Sequence, residues 1–313
     1  LNANQDIHEL LNNAKQTNHQ ELTGLSSLND DTLKDFQSSW FQLLVTKRRE
    51  IIQRLVSLAE DNLELDFDNV FLCCIEDEDN QVRAASIEGL WECEDRKLIP
   101  LLSYILRDDP ATEVRAKAAV ALSRFALLAH LGKLINKDAQ QIMSILKSTI
   151  DLTEEDIEVK RRAVESIGAF DTKEVHEIIQ LAYQHRDRRM KYSAIYAMGK
   201  SNNPYWIPNI VRELQSVDPE MRYEATNACG EMAEEDLIPE LLELFEDEDI
   251  EIQASAVSAV GNIGGDMARR VLLNSMNAGD SQLAEVAEIA LEKLDAGEDL
   301  SNMSMNPYGR LSD

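Results

Sequence analysis

The residues able to do chemistry are few and scattered. Five histidines (His8, His19, His130, His176, His185) and four cysteines (Cys73, Cys74, Cys93, Cys229) are the candidate ligands and nucleophiles in 313 residues. The cysteines have no spacing that suits zinc. Cys229 falls where neighbouring segments carry Met, Val or Ile, so it reads as a small buried hydrophobe, and all four read as inert free thiols. No HExxH, Walker loop, GxSxG or GxGxxG in a strand context occurs. Acidic loops such as Glu246-Asp247-Glu248-Asp249 lack the glycine and closing glutamate of an EF-hand. With 58 Asp and Glu, paired carboxylates occur everywhere and no single pair stands out. The expectation is a protein that is not an enzyme, with no catalytic residue, metal or cofactor.

One run differs from its surroundings. Residues 156–200 hold nine Lys and Arg against seven Asp and Glu, and include His185-Arg186-Asp187-Arg188-Arg189-Met190-Lys191-Tyr192. The rest of the chain carries 22 basic and 51 acidic residues. The net charge of −27 disfavours general binding to nucleic acid or to anionic lipid, since both need a basic face. It suits a solubilising acidic surface.

What positions that run is a repeat. Val82-Arg83 recurs as Val114-Arg115, Val159-Lys160, Met190-Lys191, Met221-Arg222, Ile252-Gln253 and Leu283-Ala284, at intervals of 32, 45, 31, 31, 31 and 31 residues. Three residues before the apolar member stand Asp79, Asp156, Asp187, Asp218, Asp249 and Asp280. Small residues recur four and seven positions after it and larger apolar ones eight after, which marks one face of an α-helix. The aspartates read as N-caps, with Asp218-Pro219-Glu220 as cap, first-turn proline and first-turn acid. Prolines in Ile99-Pro100, Ile207-Pro208 and Ile238-Pro239 start a preceding helix in each unit. Each unit is thus a hairpin of about 31 residues, too small to bury its apolar face alone.

The pattern resembles HEAT repeats, in particular the short HEAT-like repeats of the phycobilisome-lyase type, over about residues 67–295 with a degenerate first unit at Trp40–Glu60. It implies an all-α fold, an α-solenoid of about eight stacked helical hairpins. Residues 1–30 are expected as an N-terminal cap segment, 31–296 as the solenoid and 297–313 as a flexible acidic and polar tail. The 45-residue interval predicts that the second helix of the third unit runs on by several turns. In HEAT-like arrays the recurrent basic residue pairs with aspartates in the turns between units. That resemblance implies a structural ladder of Asp79, Arg83, Arg115, Asp156, Lys160, Asp187, Lys191, Asp218 and Arg222.

The resemblance also implies that the capped helices line a concave face, with offsets 2, 3 and 6 from the apolar residue turned toward a ligand. Those offsets are bland in Ala84, Ala85, Ala116, Ala254, Ser255 and Ser258. In the middle they are Arg161, Arg162 and Glu165, then Tyr192 and Tyr196, then Tyr223, Glu224 and Asn227. Tyr and Arg anchor interfaces, so Arg161, Arg162, Tyr192, Tyr196, Tyr223 and Asn227 are the candidate partner-binding residues.

The function expected is a scaffold binding a protein or peptide, cytoplasmic, with no nucleic acid and no membrane as partner. An accessory chain resembling the bilin lyase and isomerase group is the alternative. His8-Glu9 and His176-Glu177 invite comparison with deoxyhypusine hydroxylase, a HEAT-like protein that holds two irons through four such pairs. Only two pairs occur here.

Overall fold

The computed structural model describes residues 22–277 and 281–305. Most of the expected N-terminal cap segment, with His8 and His19, and Asp280 and residues 306–313 lie outside them. Within the described residues the chain is an all-α solenoid: sixteen α-helices pair into eight hairpins, with no strand. None of these helices is long and apolar enough to cross a membrane. The chain divides into two compact units between Ser166 and Ile167.

The first unit opens with a short 3-10 turn, Thr23–Leu25, tied down by buried Leu22, Leu25 and Leu28. The Asn69 side chain donates to the Leu28 carbonyl at 2.9 Å, and the Ser27 N–H donates to the Asp66 carbonyl. Four hairpins follow: α1 (Asp30–Trp40) with α2 (Val45–Asp61), α3 (Asp68–Cys74) with α4 (Asn80–Gly89), α5 (Leu98–Asp108) with α6 (Thr112–His130), and α7 (Asn136–Asp151) with α8 (Ile157–Ile167). The long interval goes into both α6, of 19 residues, and α7, of 16, whereas α3 and α4 have 7 and 10.

The second unit repeats the plan: α9 (Lys173–Tyr183) with α10 (Arg188–Ser201), α11 (Ile207–Glu213) with α12 (Pro219–Met232), α13 (Ile238–Leu242) with α14 (Ile250–Ile263), and α15 (Gly265–Met276) with α16 (Ser281–Met305). The last helix continues across the boundary expected at residue 297. Pro208 and Pro239 stand in the first turns of α11 and α13, where an amide would lack an intrahelical partner anyway.

Second helices pack on second helices, α2 on α4 on α6 in the first unit and α10 on α12 on α14 on α16 in the second. First helices cover a further side. The second helices are therefore buried over most of their circumference. In α10, Met190, Ser193, Ala194, Ile195, Ala197 and Met198 are all buried. This corrects the expected exposed stripe, because Ala84, Ala85, Ala116 and Ser255 are buried as well. A glycine nine residues after the apolar position permits the close packing. A Cβ on Gly199 would lie 2.8 Å from Ala228 Cα, and one on Gly230 3.0 Å from Ala259 Cα. The same glycine recurs as Gly168 and Gly261.

Candidate functional site

The recurrent arginines bridge consecutive loops. Arg83 donates from Nε and Nη2 to the two carboxylate oxygens of Asp109, at 2.8 and 2.9 Å, and from Nη1 to the Asp77 carbonyl at 2.8 Å. Arg115 makes the same fork on Glu155, at 3.0 and 2.7 Å, and reaches the Asp109 carbonyl. Arg222 grips Asp247 at 2.7 and 2.9 Å and the Ser216 carbonyl at 2.9 Å. Fork-on-fork geometry suits a planar guanidinium and not an ammonium.

The carboxylates in these forks are not the capping aspartates expected in the ladder. They lie one or two residues earlier, in the following loop. There they also accept an N–H: Asp109 that of Ala111, Glu155 that of Asp156 and Asp247 that of Asp249. The capping column serves the helix starts. Asp79, Asp187 and Asp249 accept from the first-turn N–H groups of Gln81, Arg189 and Glu251. Asp156 accepts from the Glu158 N–H, and Asp79 also takes the Arg49 guanidinium from α2.

Asp218 is an exception. It stands at the N-cap before Pro219, yet its carboxylate bonds no helix N–H. It accepts instead from the Tyr192 hydroxyl at 2.6 Å and from Arg188 at 3.3 Å. Burial, then the Asp218 carboxylate, pushes the Tyr192 hydroxyl up to about 12, so it stays a proton donor at neutral pH. The ladder also lapses at its two lysines. Among the described residues neither Lys160 nor Lys191 has an acidic partner within ion-pair distance. The next loops carry His185 and Ser216 where Asp109 and Asp247 stand elsewhere. His185 Nδ1 and Ser216 Oγ still accept the N–H groups of Asp187 and Asp218, so the loop turn survives without the carboxylate.

The candidate partner-binding residues fall into two groups. On α10 and α12, offsets 2 and 6 form the solvent-facing ridge of the second unit. Tyr196 and Tyr223 are each 38% exposed, Tyr192 is half-buried, and Asn227 is half-buried and accepts from the Ser255 hydroxyl at 2.8 Å. Lys200 lies 5.6 Å from the Tyr196 ring centroid and pairs with Glu231 at 2.7 Å. Arg161 and Arg162 belong to the first unit, on α8. There Glu158 and Glu165 of the same helix bond both guanidinium groups at 2.6–3.1 Å, so the pair carries no free positive patch.

A cleft of about 650 Å³ lies in the second unit at the ends of α9 and α11, beside the loop that leads into α12. Periodicity of the second helices could not reveal it, because Arg188, Lys191 and Met221 of those helices form only part of its lining and the first helices and loops build the rest. The remaining chemical candidates are engaged elsewhere. His176 bonds Asp171 at 2.8 Å and stacks on Tyr205, 5.8 Å between centroids, with Trp206 edge-on. No cluster of three His, Cys, Asp or Glu suited to a metal occurs among the described residues. All four cysteines are free. Burial pushes the Cys229 thiol up to about 12 and Cys93 to about 11, and raises Cys74. A hydrogen bond from Cys74 lowers Cys73.

A profile of the family described as HEAT repeats matches residues 69–148 and 207–292. None of the curated proteins matches the chain. Among solved structures it is similar to an engineered protein, at 22% identity over 64% of this chain and 97% of that one, with a TM-score of 0.40. It is also similar to human deoxyhypusine hydroxylase in complex with glycerol, at 15% identity over 94% of this chain and 97% of that one, TM-score 0.36. A Kap121p mutant aligns at 16% identity over 98% of this chain and 40% of that one, TM-score 0.48.

Proposed function

We propose, from the premise that the chain belongs to the HEAT-repeat family, that it is a non-catalytic cytoplasmic scaffold binding a protein or peptide on the ridge of α10 and α12. The observation that carries this reading is the exposure of Tyr196 and Tyr223 on helices whose other faces are buried. Two half-exposed aromatic rings with hydroxyl tips, flanked by Lys200, Glu231 and Asn227, offer apolar area with polar handles at low entropic cost. Repeat arrays work by displaying such surfaces along successive units. Tyr192 supports the ridge by holding Asp218. The overall acidity keeps nucleic acid and anionic lipid away from the surface.

The test compares affinity capture from native lysate by the wild-type chain and by the Tyr196→Ala/Tyr223→Ala variant, followed by mass spectrometry. Tyr192 is left in place because it bonds Asp218. A protein retained by the wild type and lost by the variant, with helicity equal by circular dichroism, is the expected outcome. An identical catch from both removes the ridge from the account. For the bilin-lyase alternative, bilin added to the purified chain would have to change its absorbance spectrum; the scaffold reading expects none.

A further inference from the structure

We propose that the cleft beside Lys191 binds the carboxylate of the partner peptide, which takes the place of the acid that Ser216 does not supply. The inference rests on the scaffold reading above and adds the chemistry of the partner. In three places the repeat puts a cation and a loop carboxylate together: Arg83 with Asp109, Arg115 with Glu155 and Arg222 with Asp247. Lys191 holds the same place in its own repeat, and Ser216 stands where Asp247 stands one repeat later. Ser216 retains half of the aspartate's work, because its hydroxyl accepts the Asp218 N–H at 3.3 Å. It has no second oxygen to offer a cation.

The surroundings fit that assignment. Lys191 and Ser216 both line the cleft of about 650 Å³, with Arg188, Arg212, Glu213 and Asp218. Three cations against two acids leave one positive charge, which a single carboxylate balances and a phosphate dianion exceeds. Glu213 and Asp218 are occupied by Arg212 and by Tyr192 with Arg188, so neither neutralises Lys191. Asp218 also leaves the first-turn amides of α12 without a side-chain cap, and Asp218 and Met221 border the cleft at that helix start. An anion seated there meets an ammonium and the positive end of a helix together.

The test is a titration of the 15N-labelled full chain, followed by NMR at the Lys191 and Ser216 amides. The probes are acetyl-Gly-Glu-Gly-amide, acetyl-Gly-Gly-Gly with a free carboxylate, the neutral acetyl-Gly-Gln-Gly-amide, and inorganic phosphate. Saturable shifts with either carboxylate peptide and none with the neutral one are expected. A response to the first alone assigns a side-chain carboxylate, and to the second alone a chain terminus. Ser216→Asp and Lys191→Gln should each weaken binding by roughly tenfold or more. Equal binding by Ser216→Asp, a response to the neutral peptide, preference for phosphate, or no saturable shift would each overturn the proposal. If the cleft binds its probe while Tyr196→Ala/Tyr223→Ala captures the same proteins as wild type, the ridge fails and the cleft stands. The reverse pair of results removes only the cleft.

Discussion

Arg222 and Lys191 occupy the same position one repeat apart, but their energetic roles differ. Arg222 and Asp247 are buried and bonded through two parallel hydrogen bonds. Removing one partner strands the other charge. Arg222→Met is expected to lower stability by about 3 kcal/mol in urea denaturation. Lys191→Met, which breaks no ion pair, should stay within about 0.5 kcal/mol. Burial would raise the Asp247 carboxyl, but the Arg222 hydrogen bonds and the Asp249 N–H hold it below its ordinary value. A depressed carboxylate contributes stability above its unfolded pKa of about 4 and loses it as pH falls through the folded value. The loss of stability below about pH 4 should therefore be shallower in Arg222→Met than in wild type. The basic column was visible in the sequence because it recurs at a fixed spacing. Its partners were not, because Glu155 sits one residue nearer its helix than Asp109 and Asp247 do, His185 and Ser216 interrupt the column, and a second, more regular aspartate column stands beside it.

At the scale of the helix, backbone approach decides what is tolerated. Gly199 faces Ala228 so closely that a Cβ would collide with backbone. Gly199→Ala should destabilise by about 1–3 kcal/mol despite its better helix propensity, read as a lower urea midpoint. Ala233 presents the opposite case. It ends α12 in the left-handed region at φ 50°, a conformation that glycine adopts without the Cβ penalty. Ala233→Gly should raise stability by up to about 1 kcal/mol in the same assay. The helices and caps were legible because apolar spacing and Asp-before-helix patterns are local. The glycine column at 168, 199, 230 and 261 is equally periodic, but spacing alone does not distinguish a close backbone contact from any other small residue. The burial of Ala84, Ala85, Ala116 and Ser255 was not legible, because a single helix does not show which neighbours cover it.

For the whole molecule, the proposed scaffold function depends on what the repeats leave uncovered. Most of the second-helix surface is spent on stacking, and the second unit departs from its own repeat at the ridge of Tyr196 and Tyr223 and at Lys191 with Ser216. The tyrosines were legible in the sequence as residues at an exposed register. The cleft was not, since it needs loops and first helices that no period describes. The most direct measurement places a photocrosslinking benzoylphenylalanine at Tyr196 and, separately, at Leu273, which is 43% exposed on α15. Irradiation in native lysate should yield a discrete protein adduct from position 196 and none from 273. An adduct from 273 alone, or none from 196 while the intact chain still captures a partner, would contradict the ridge as the binding surface.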